Sequence, residues 1–228
     1  MKCIESIGIQ AREDSGIHFL LRRLFAAATF FGLLGLLSAP YSYSASATIK
    51  GSGDQVTDKI PFSGGLLMVG AAHKGHQNFV VELLSENGDI RELLVNTIGD
   101  YQGVRLISIA AGLYRFQIRS DQGWVLMHEQ PDLSKQGTPL PISHSHTGDA
   151  PLGPFIFDRG LLRASFVYEG TRNLTATLFT AQGSMVALLL NKIGAYKGTV
   201  TASILDAGPY WLAVQASGTW SVDLVMDK

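Results

Sequence analysis

Cysteine is almost absent from this chain of 228 residues. The one cysteine, Cys3, lies close to the N-terminus, ahead of a long apolar run. A single thiol can form neither an internal disulfide nor a metal site built from several thiolates. Because the acylated cysteine of a lipoprotein follows its apolar run, Cys3 does not have that role either. We therefore expect the fold to be held by packed β-sheet cores and not by cross-links.

The chain also lacks an excess of charge of either sign. Its 18 lysines and arginines face 19 aspartates and glutamates, for a formal net charge of −1. Proteins that follow a phosphate backbone carry a basic surface, so the composition predicts no nucleic-acid partner. Once residues 1–47 are set aside, 14 basic and 16 acidic residues remain. This balance gives no electrostatic reason to bind an anionic membrane surface.

Sequence motifs of catalysis are missing as well. There is no Gly-x-Ser-x-Gly turn of a serine hydrolase, no His-Glu-x-x-His zinc motif and no glycine-rich phosphate loop. The sequence therefore predicts a protein that is not an enzyme and that uses no cofactor. A hydrolase whose catalytic residues come from distant parts of the chain is the alternative that the sequence leaves open.

An export signal is predicted at the N-terminus. Arg22-Arg23 is followed by an uncharged, mostly apolar run at residues 24–39 and then by small residues, an order that is typical of a signal peptide. We expect a signal helix within residues 1–47, cleavage before Thr48, and a periplasmic or extracellular location. The alternative is an uncleaved anchor, which would be the only membrane contact. The run is shorter than the roughly 20 residues of a spanning helix.

A motif that occurs twice organises the remaining sequence. Residues 93–103 and 188–198 each combine a short apolar run with the pattern Asn-x-Ile-Gly-x-Tyr-x-Gly, which predicts a strand that enters a tight turn. The motif positions are Asn96, Gly99, Tyr101 and Gly103 in the first copy, and Asn191, Gly194, Tyr196 and Gly198 in the second. Glycines, tyrosines and tryptophans match between the copies at an offset of 95 residues, which becomes 96 after a one-residue insertion. The sequence therefore predicts an internal duplication.

Each copy is predicted to be an antiparallel β-sandwich. Tyr114, Phe116 and Ile118 alternate with polar residues, which is the period of a strand with one buried face. Further strands are expected near residues 66–72, 78–84, 90–95, 104–109 and 124–128, with equivalents in the second copy. Turn signals recur at the spacing of about eight to twelve residues that is typical of sandwich domains. No stretch after the leader has a helical pattern.

The repeat also sets the predicted domain boundaries. The first sandwich is expected at residues 48–130 and the second at residues 148–228. Prolines and serines at residues 131–147 predict an extended linker between them. The chain is thus predicted to be all-β, with two tandem antiparallel sandwiches behind an N-terminal signal helix.

These patterns carry a resemblance to known proteins. Gly-x-x-Asn-Phe-x-Val-x-Leu from Gly75 to Leu83, the Asn-x-Ile-Gly-x-Tyr-x-Gly motif and the Ala-Gly-x-Tyr that ends at Tyr114 resemble repeat modules of uncharacterised exported bacterial proteins. More loosely, each copy is similar to the pre-peptidase C-terminal-like domain, an accessory β-sandwich of secreted enzymes. The resemblance implies an exported β-sandwich and transfers no catalytic residue. The second copy departs from the pattern at Leu174, where the first has Phe79.

Four histidines are the candidate ligands of a transition metal. His144 and His146 alternate on an extended segment, and His73 and His76 flank a short turn. Alternate histidines on one face could hold a metal ion. Because no cysteine or carboxylate cluster adjoins them, we interpret them as solvated loop histidines and predict no metal site.

The recurring aspartates and asparagines are interpreted as turn residues. Asp54 and Asp149 occupy matched positions, and Asp100 lies in the turn of the repeated motif, so calcium is an alternative. The second copy has alanine in place of Asp100, and the sequence has no dense series of acidic ligands. We therefore expect these aspartates, and likewise Asn96 and Asn191, to satisfy the backbone of turns.

Trp211 is the candidate binding residue. If Tyr210 faces the core, the strand period places Trp211 on the outer face, where the first copy has Arg115. An outward tryptophan could stack on a sugar or a partner protein, or it could cover the joint between the sandwiches. The sequence therefore predicts an exported, non-catalytic binding or interaction module with an unknown protein or carbohydrate ligand. The alternatives are a secreted hydrolase with a site at the joint and a purely structural spacer.

Overall fold

The computed structural model describes residues 46–134 and 136–227. These residues form sixteen β-strands and no helix, so the prediction of an all-β chain is confirmed. The predicted signal helix and the residues up to 45 lie outside the described part. Within the described ranges there is no helix that could span a bilayer.

The strands fall into two halves of the chain, which are named here by their residues. The N-terminal half is residues 46–130 and the C-terminal half is residues 136–227. The strands of the N-terminal half are β1 (Ala47–Ser52), β2 (Gln55–Val56), β3 (Ile60–His73), β4 (Asn78–Ser85), β5 (Ile90–Ile98), β6 (Tyr101–Arg119) and β7 (Gly123–Glu129). Those of the C-terminal half are β8 (Thr138–Pro139), β9 (Ile142–Thr147), β10 (Ala150–Phe157), β11 (Gly160–Tyr168), β12 (Asn173–Thr180), β13 (Met185–Ile193), β14 (Tyr196–Ile204), β15 (Gly208–Ala216) and β16 (Thr219–Asp227).

Both halves use the same antiparallel pairings. In the C-terminal half, one sheet has the order β14-β11-β16-β9 and the other has the order β13-β12-β15-β10-β8. In the N-terminal half, the order is β1-β7-β3-β6-β4-β5, with β2 paired to β6. The long strand β6 pairs with β3 along its first part and with β4 along its last part, so it belongs to both layers. The C-terminal half divides the same length of chain between β14 and β15.

The core of each half lies between its two layers. The N-terminal core contains Tyr114, Phe116 and Ile118, so the predicted alternation along this strand is confirmed. The C-terminal core contains Tyr210, Leu212 and Val214 at the matched positions. Each cluster draws residues from both layers, as in a sandwich, and such burial is the main stabilising contribution to an all-β chain without disulfides.

Bulges explain why consecutive apolar residues occur in the repeated motif. In the pairing of β4 with β5, Val81 lies opposite Val95 while Glu82 lies opposite Leu93, so Leu94 is an extra residue. The same shift occurs at the matched position of β13. A bulge lets two successive side chains face the same layer, and Leu94 and Val95 are both buried. The apolar run therefore reflects a bulged edge strand and not a strand buried on both faces.

The glycines and tyrosines of the motif have a direct packing relation. Gly99 and Gly194 have φ angles of 86° and 82°, the left-handed region that a side chain disfavours. A Cβ atom at Gly103 would lie 2.7 Å from the hydroxyl oxygen of Tyr101, two residues earlier on the same face of the strand. Gly198 stands in the same relation to Tyr196, at 2.6 Å. The spacing Tyr-x-Gly therefore leaves room for the tyrosine ring along its own strand.

Matched hydrogen bonds hold corresponding loops in the two halves. The indole Nε1 of Trp124 donates to the carbonyl of Gly53 at 3.0 Å, and that of Trp220 donates to the carbonyl of Gly148 at 2.9 Å. The tryptophans thus tie the last strand of each half to matched loops, the loop after β1 in the N-terminal half and the loop after β9 in the C-terminal half. The hydroxyls of Tyr114 and Tyr210 also donate to backbone carbonyls four residues earlier, at 3.0 Å and 2.6 Å.

The segment predicted as a linker includes strand structure. Residues 142–147 form β9, which pairs with β16 in the way that β1 pairs with β7. Thr138–Pro139 forms a short parallel pairing with β10. Composition indicated an extended segment here, but alternation was hidden because β9 is an edge strand with mostly exposed side chains. The segment therefore completes a sheet of the C-terminal half in addition to connecting the halves.

His128 is a buried titratable group inside the N-terminal core. Its ring packs edge-on against Phe62, with centroids 5.3 Å apart, and lies near Phe116. Its Nδ1 is buried and has no hydrogen-bond partner, and burial lowers the pKa of the imidazole below its ordinary value. The matched residue of the C-terminal half is Leu224, which is fully buried.

We predict that His128 makes the folded chain sensitive to acid. The unfolded chain takes up a proton at the ordinary histidine pKa of about 6.5, while the folded chain resists protonation. The stability is therefore fully present above that pH and is lost as the pH falls towards the lowered pKa. The free energy of unfolding in urea should drop less between about pH 7.5 and about pH 5 in His128→Leu than in the natural chain. His76→Leu, at an exposed position, is the control, and an equal drop in all three proteins would refute the prediction.

Candidate binding cleft

The two halves contact each other through an apolar cluster. Leu66 and Leu106 of the N-terminal half pack with Ala181, Trp211 and Ala213 of the C-terminal half. The contact joins the outer face of the β3–β6 layer to the outer face of the β12–β15 layer. Because apolar surface on both sides is removed from water, this cluster holds the joint between the halves.

Trp211 corrects the expectation of an exposed binding residue. The strand period is as predicted, since Tyr210 and Leu212 face the C-terminal core and Trp211 faces the other way. The outer face of β15 is nevertheless covered by the N-terminal half, and only 8% of Trp211 is exposed. Trp211 therefore belongs to the joint, which is the alternative that the sequence left open, and it is not available to stack on a ligand.

We predict that Trp211→Ala weakens the joint. Truncation of a buried tryptophan leaves a cavity, and the expected loss in the free energy of unfolding is about 3 kcal/mol. The control is Arg115→Ala at the matched position of the N-terminal half, where the outer face carries no second sandwich. Chemical denaturation of both variants would measure the difference, and a loss for Trp211→Ala no greater than that for Arg115→Ala would contradict the packing role.

A polar cleft lies beside the apolar cluster and is lined by both halves. Its volume is about 630 Å³, which is within the range of small-molecule sites. Side-chain amides line it at Asn96, Gln102, Asn173 and Gln215. Hydroxyl groups line it at Thr97, Thr147, Thr171, Thr175 and Ser217. Charged groups line it at Asp100, Arg105, Asp149 and Arg172.

Asp149 connects the halves within this cleft. Its Oδ2 accepts a hydrogen bond from the hydroxyl of Tyr101 at 2.8 Å and lies 3.7 Å from Nη1 of Arg105. Its Oδ1 accepts from the backbone N–H of Ala216 at 2.9 Å, and its own carbonyl accepts from the N–H of Val104 at 3.1 Å. One residue therefore bonds to β15 of its own half and to β6 of the other.

The tyrosine of this network remains a hydrogen-bond donor. Burial raises the pKa of the Tyr101 phenol, and the negative charge of Asp149 and its hydrogen bond raise it further. Tyr101 is therefore protonated over the whole physiological range of pH. Its matched residue, Tyr196, has no carboxylate partner among residues 46–134 and 136–227.

Asp149 makes one hydrogen bond that has a counterpart in the N-terminal half, and it makes further contacts that occur only at the joint. Its matched residue, Asp54, accepts a hydrogen bond from the backbone N–H of Ser120 at 2.9 Å. This corresponds to the bond from Ala216 to Asp149 and agrees with the interpretation of both aspartates as turn residues. The bond from Tyr101 and the proximity of Arg105 are added only at Asp149, because only this aspartate faces the other half.

We predict that Tyr101→Phe destabilises the chain by about 2 kcal/mol, the typical loss of a hydrogen bond to a charged group. Tyr196→Phe is the matched control, because its hydroxyl contacts no carboxylate in the described part of the chain. Urea unfolding at neutral pH would compare the two. Equal losses in the two variants would mean that the bond to Asp149 contributes nothing.

His73 differs from the expectation of a solvated loop residue, whereas His76 is exposed in the loop between β3 and β4 as expected. His73 is 3% exposed and stacks on Phe79 with ring centroids 4.5 Å apart. Its Nδ1 lies 3.2 Å from the carbonyl oxygen of Gly99, and its Nε2 lies 3.2 Å from Oδ1 of Asp121. The backbone N–H of His76 lowers the pKa of Asp121, and the charge of His73 adds a smaller effect. The matched pair in the C-terminal half is a tyrosine and a serine, so this contact is structural.

The other two histidines lie on a strand. His144 and His146 are on the same face of β9, with ring centroids 6.4 Å apart and each about the same distance from Trp220. Partial burial lowers the pKa of His144, and the neighbouring His146 lowers it further. Residues 46–134 and 136–227 contain no group of three or more side chains placed to hold a metal ion.

The motif asparagines differ from their predicted role. Asn96 and Asn191 are exposed, and within the described residues neither side chain has a hydrogen-bond partner. The turns are satisfied instead by backbone bonds, from the N–H of Gly99 to the carbonyl of Gln77 and from the N–H of Gly194 to the carbonyl of Arg172. Asn96 lines the cleft, a position that the repeat alone did not indicate.

Sequence reasoning missed the arginines of the cleft. Arg105 and Arg172 occupy positions at which the halves differ, since the matched residues are Val200 and Gln77. The available signal was that the two halves differ at these positions. Residues that match between the halves are mainly those that serve the shared fold, so a comparison of matched residues does not find Arg105 and Arg172.

Comparison with known proteins identifies no family. No family model matches the chain, and no curated protein is detectably similar to it. Among solved structures, the PBSX exported protein XepA is similar at 10% identity with a TM-score of 0.26, over 79% of this chain and 86% of that one. An F-lectin (fucolectin) from striped bass (Morone saxatilis) serum is similar at 9% identity with a TM-score of 0.22, over 80% and 86%. The stem and receptor-binding domain of spike protein P1 from bacteriophage PM2 is similar at 8% identity with a TM-score of 0.16, over 84% and 82%. Similarities at this level carry no argument about function.

Proposed function

We propose that this chain is an exported, non-catalytic binding module whose ligand site is the cleft between its two halves. The observation that carries the proposal is a polar cavity of about 630 Å³ that both halves line. Amide, hydroxyl and guanidinium groups converge there, and Asp149 and Tyr101 fix the walls relative to each other. A preformed concave site with convergent polar groups is typical of ligand binding.

The same proposal includes the origin of the halves. Matched strand registers, turn glycines and tryptophan hydrogen bonds support a duplication of one sandwich unit. On this proposal the units correspond to residues 48–130 and 148–228, the second extended at its start by β9, the counterpart of β1, and they follow a cleaved export signal. They are modules of the kind found in exported bacterial proteins and similar to pre-peptidase C-terminal-like domains. Duplication followed by divergence at the joint would create a cleft that neither unit has alone.

Binding is favoured over hydrolysis by the chemistry of the cleft. None of the residues that line it is a histidine. Its serine, Ser217, has its hydroxyl 3.1 Å from the hydroxyl of Tyr168 and lacks the histidine partner that activates a nucleophilic serine. Asp149 is engaged by the Tyr101 hydroxyl and the backbone N–H of Ala216. These contacts support a role in structure and recognition rather than proton transfer.

A cleft-filling substitution tests the proposal. Asn173 lines the cleft at the start of β12, and Asn78 occupies the matched position at the start of β4, outside the cleft. Carbohydrate, peptide and small-molecule panels would be screened for binding and for turnover with the full chain. We expect a bound ligand to be lost in Asn173→Trp and kept in Asn78→Trp, with no turnover. Binding that survives in Asn173→Trp would contradict the site, turnover would favour the hydrolase, and no ligand at all would favour the structural spacer.

A further inference from the structure

The cleft contains two guanidinium groups with unused donors. Nη1 of Arg105 lies 3.7 Å from its nearest carboxylate oxygen, on Asp149, which is longer than a hydrogen bond. Its Nε also has no hydrogen-bond partner, but that atom is buried, so the donors open to a ligand are those of the terminal nitrogens. Arg172 is exposed and lines the cleft. Its side chain forms no ion pair or hydrogen bond within residues 46–134 and 136–227. The arginines therefore have donors to offer to a ligand.

The carboxylates of the cleft are already engaged by the protein. Both oxygens of Asp149 accept hydrogen bonds, from Tyr101 and from the backbone of Ala216. Asp100 accepts a hydrogen bond from the backbone N–H of Gly75 at 3.1 Å. The second oxygen of Asp100 has no partner among the described residues, but each arginine carries several N–H donors and neither forms a side-chain hydrogen bond there, so unused donors outnumber unused carboxylate oxygens. Such a site favours an anionic oxygen group, which a guanidinium binds at two points.

Neither arginine is required by the sandwich fold. Gln77 takes the place of Arg172 in the N-terminal half, and Val200 takes the place of Arg105 in the C-terminal half. Arg105 and Val200 nevertheless lie in matched strand pairings, and the carbonyls of Gln77 and Arg172 accept matched turn hydrogen bonds from Gly99 and Gly194. The two cations are therefore additions at the joint, where they meet in one cavity.

The other side chains that line the cleft indicate which chemical groups accompany the anionic group in a ligand. Besides Tyr101, four side-chain amides and five serine or threonine hydroxyls line the cleft, and each can both donate and accept hydrogen bonds. Such groups match a ligand that is rich in hydroxyls. We infer that the cleft binds an acidic carbohydrate, with its carboxylate held by Arg172 and Arg105 and its hydroxyls held by the amides. The inference rests on the proposed function because it concerns the same cleft.

A matched pair of sugars tests this inference with the full chain. The probes are a trimer of galacturonic acid and the same trimer with its carboxylates methyl-esterified, which removes the charge and adds one methyl group to each sugar. Isothermal titration calorimetry should show that the acid binds and that the ester binds about tenfold more weakly or not at all. Arg172→Gln, which installs the residue of the other half, should weaken binding of the acid about tenfold. Arg91→Gln, at an exposed arginine outside the cleft that pairs with Asp89, should leave it unchanged.

A second variant tests whether weaker binding in Arg172→Gln reflects only a local change around residue 172. Arg105→Val installs the residue of the other half and should also weaken the acid about tenfold, while circular dichroism confirms that the chain is folded. Equal affinity for acid and ester, no binding of either, or full affinity in Arg172→Gln would overturn the inference. The outcome for the proposed function can be distinguished from the outcome for this inference. If a neutral ligand binds the natural chain and is lost in Asn173→Trp, then the cleft is a binding site and only the acidic class is wrong.

Discussion

The account depends on the contact that Asp149 makes across the joint. One carboxylate oxygen is bound to the backbone of its own half and the other to the Tyr101 hydroxyl of the neighbouring half. The first bond recurs at Asp54, so a turn residue that the fold already requires has gained a partner at the joint. The partly buried position of this pair makes the bond stronger than a similar contact in water, because the surroundings screen the charge less. The result is a cleft with walls at a fixed separation.

The joint is asymmetric, because the matched outer sheet faces of the two halves carry different residues. The C-terminal half contributes Trp211 and Ala213 from an outer sheet face, and the matched residues of the N-terminal half are Arg115 and Gln117. Arg119 and Glu82 form an ion pair at 2.6 Å on that same N-terminal face. A head-to-tail contact would otherwise propagate to a further copy. Charged groups at the free face oppose this, since their burial without matched partners is costly.

The sequence predicted the repeated part of the structure well. Strand positions, turns and the alternation along β6 and β15 follow from period and glycine placement, because local backbone preferences determine them. The Tyr-x-Gly spacing and the paired tryptophans also have roles within one half, and both halves contain them. A residue that the fold of one half requires is visible in a single sequence when the pattern occurs twice.

The joint was not predictable in the same way. Whether Trp211 is exposed depends on which outer sheet faces contact each other, and the strand period does not predict which faces those are. The burial of His73 depends on Asp121 and Phe79, which are far from each other in sequence. The strand at residues 142–147 has the composition of a linker, because an edge strand needs few apolar residues. Arg105 and Arg172 carry no motif, and only their departure from the repeat marks them.

An amide chemical-shift map by NMR, recorded while the galacturonic acid trimer is added, tests the central claim most directly. The account predicts that the perturbed amides come from both halves and surround the cleft, with Gln102 of β6 and Asn173 of β12 among them. Perturbations confined to one half, or located away from the residues that line the cleft, would contradict a binding site formed by the joint.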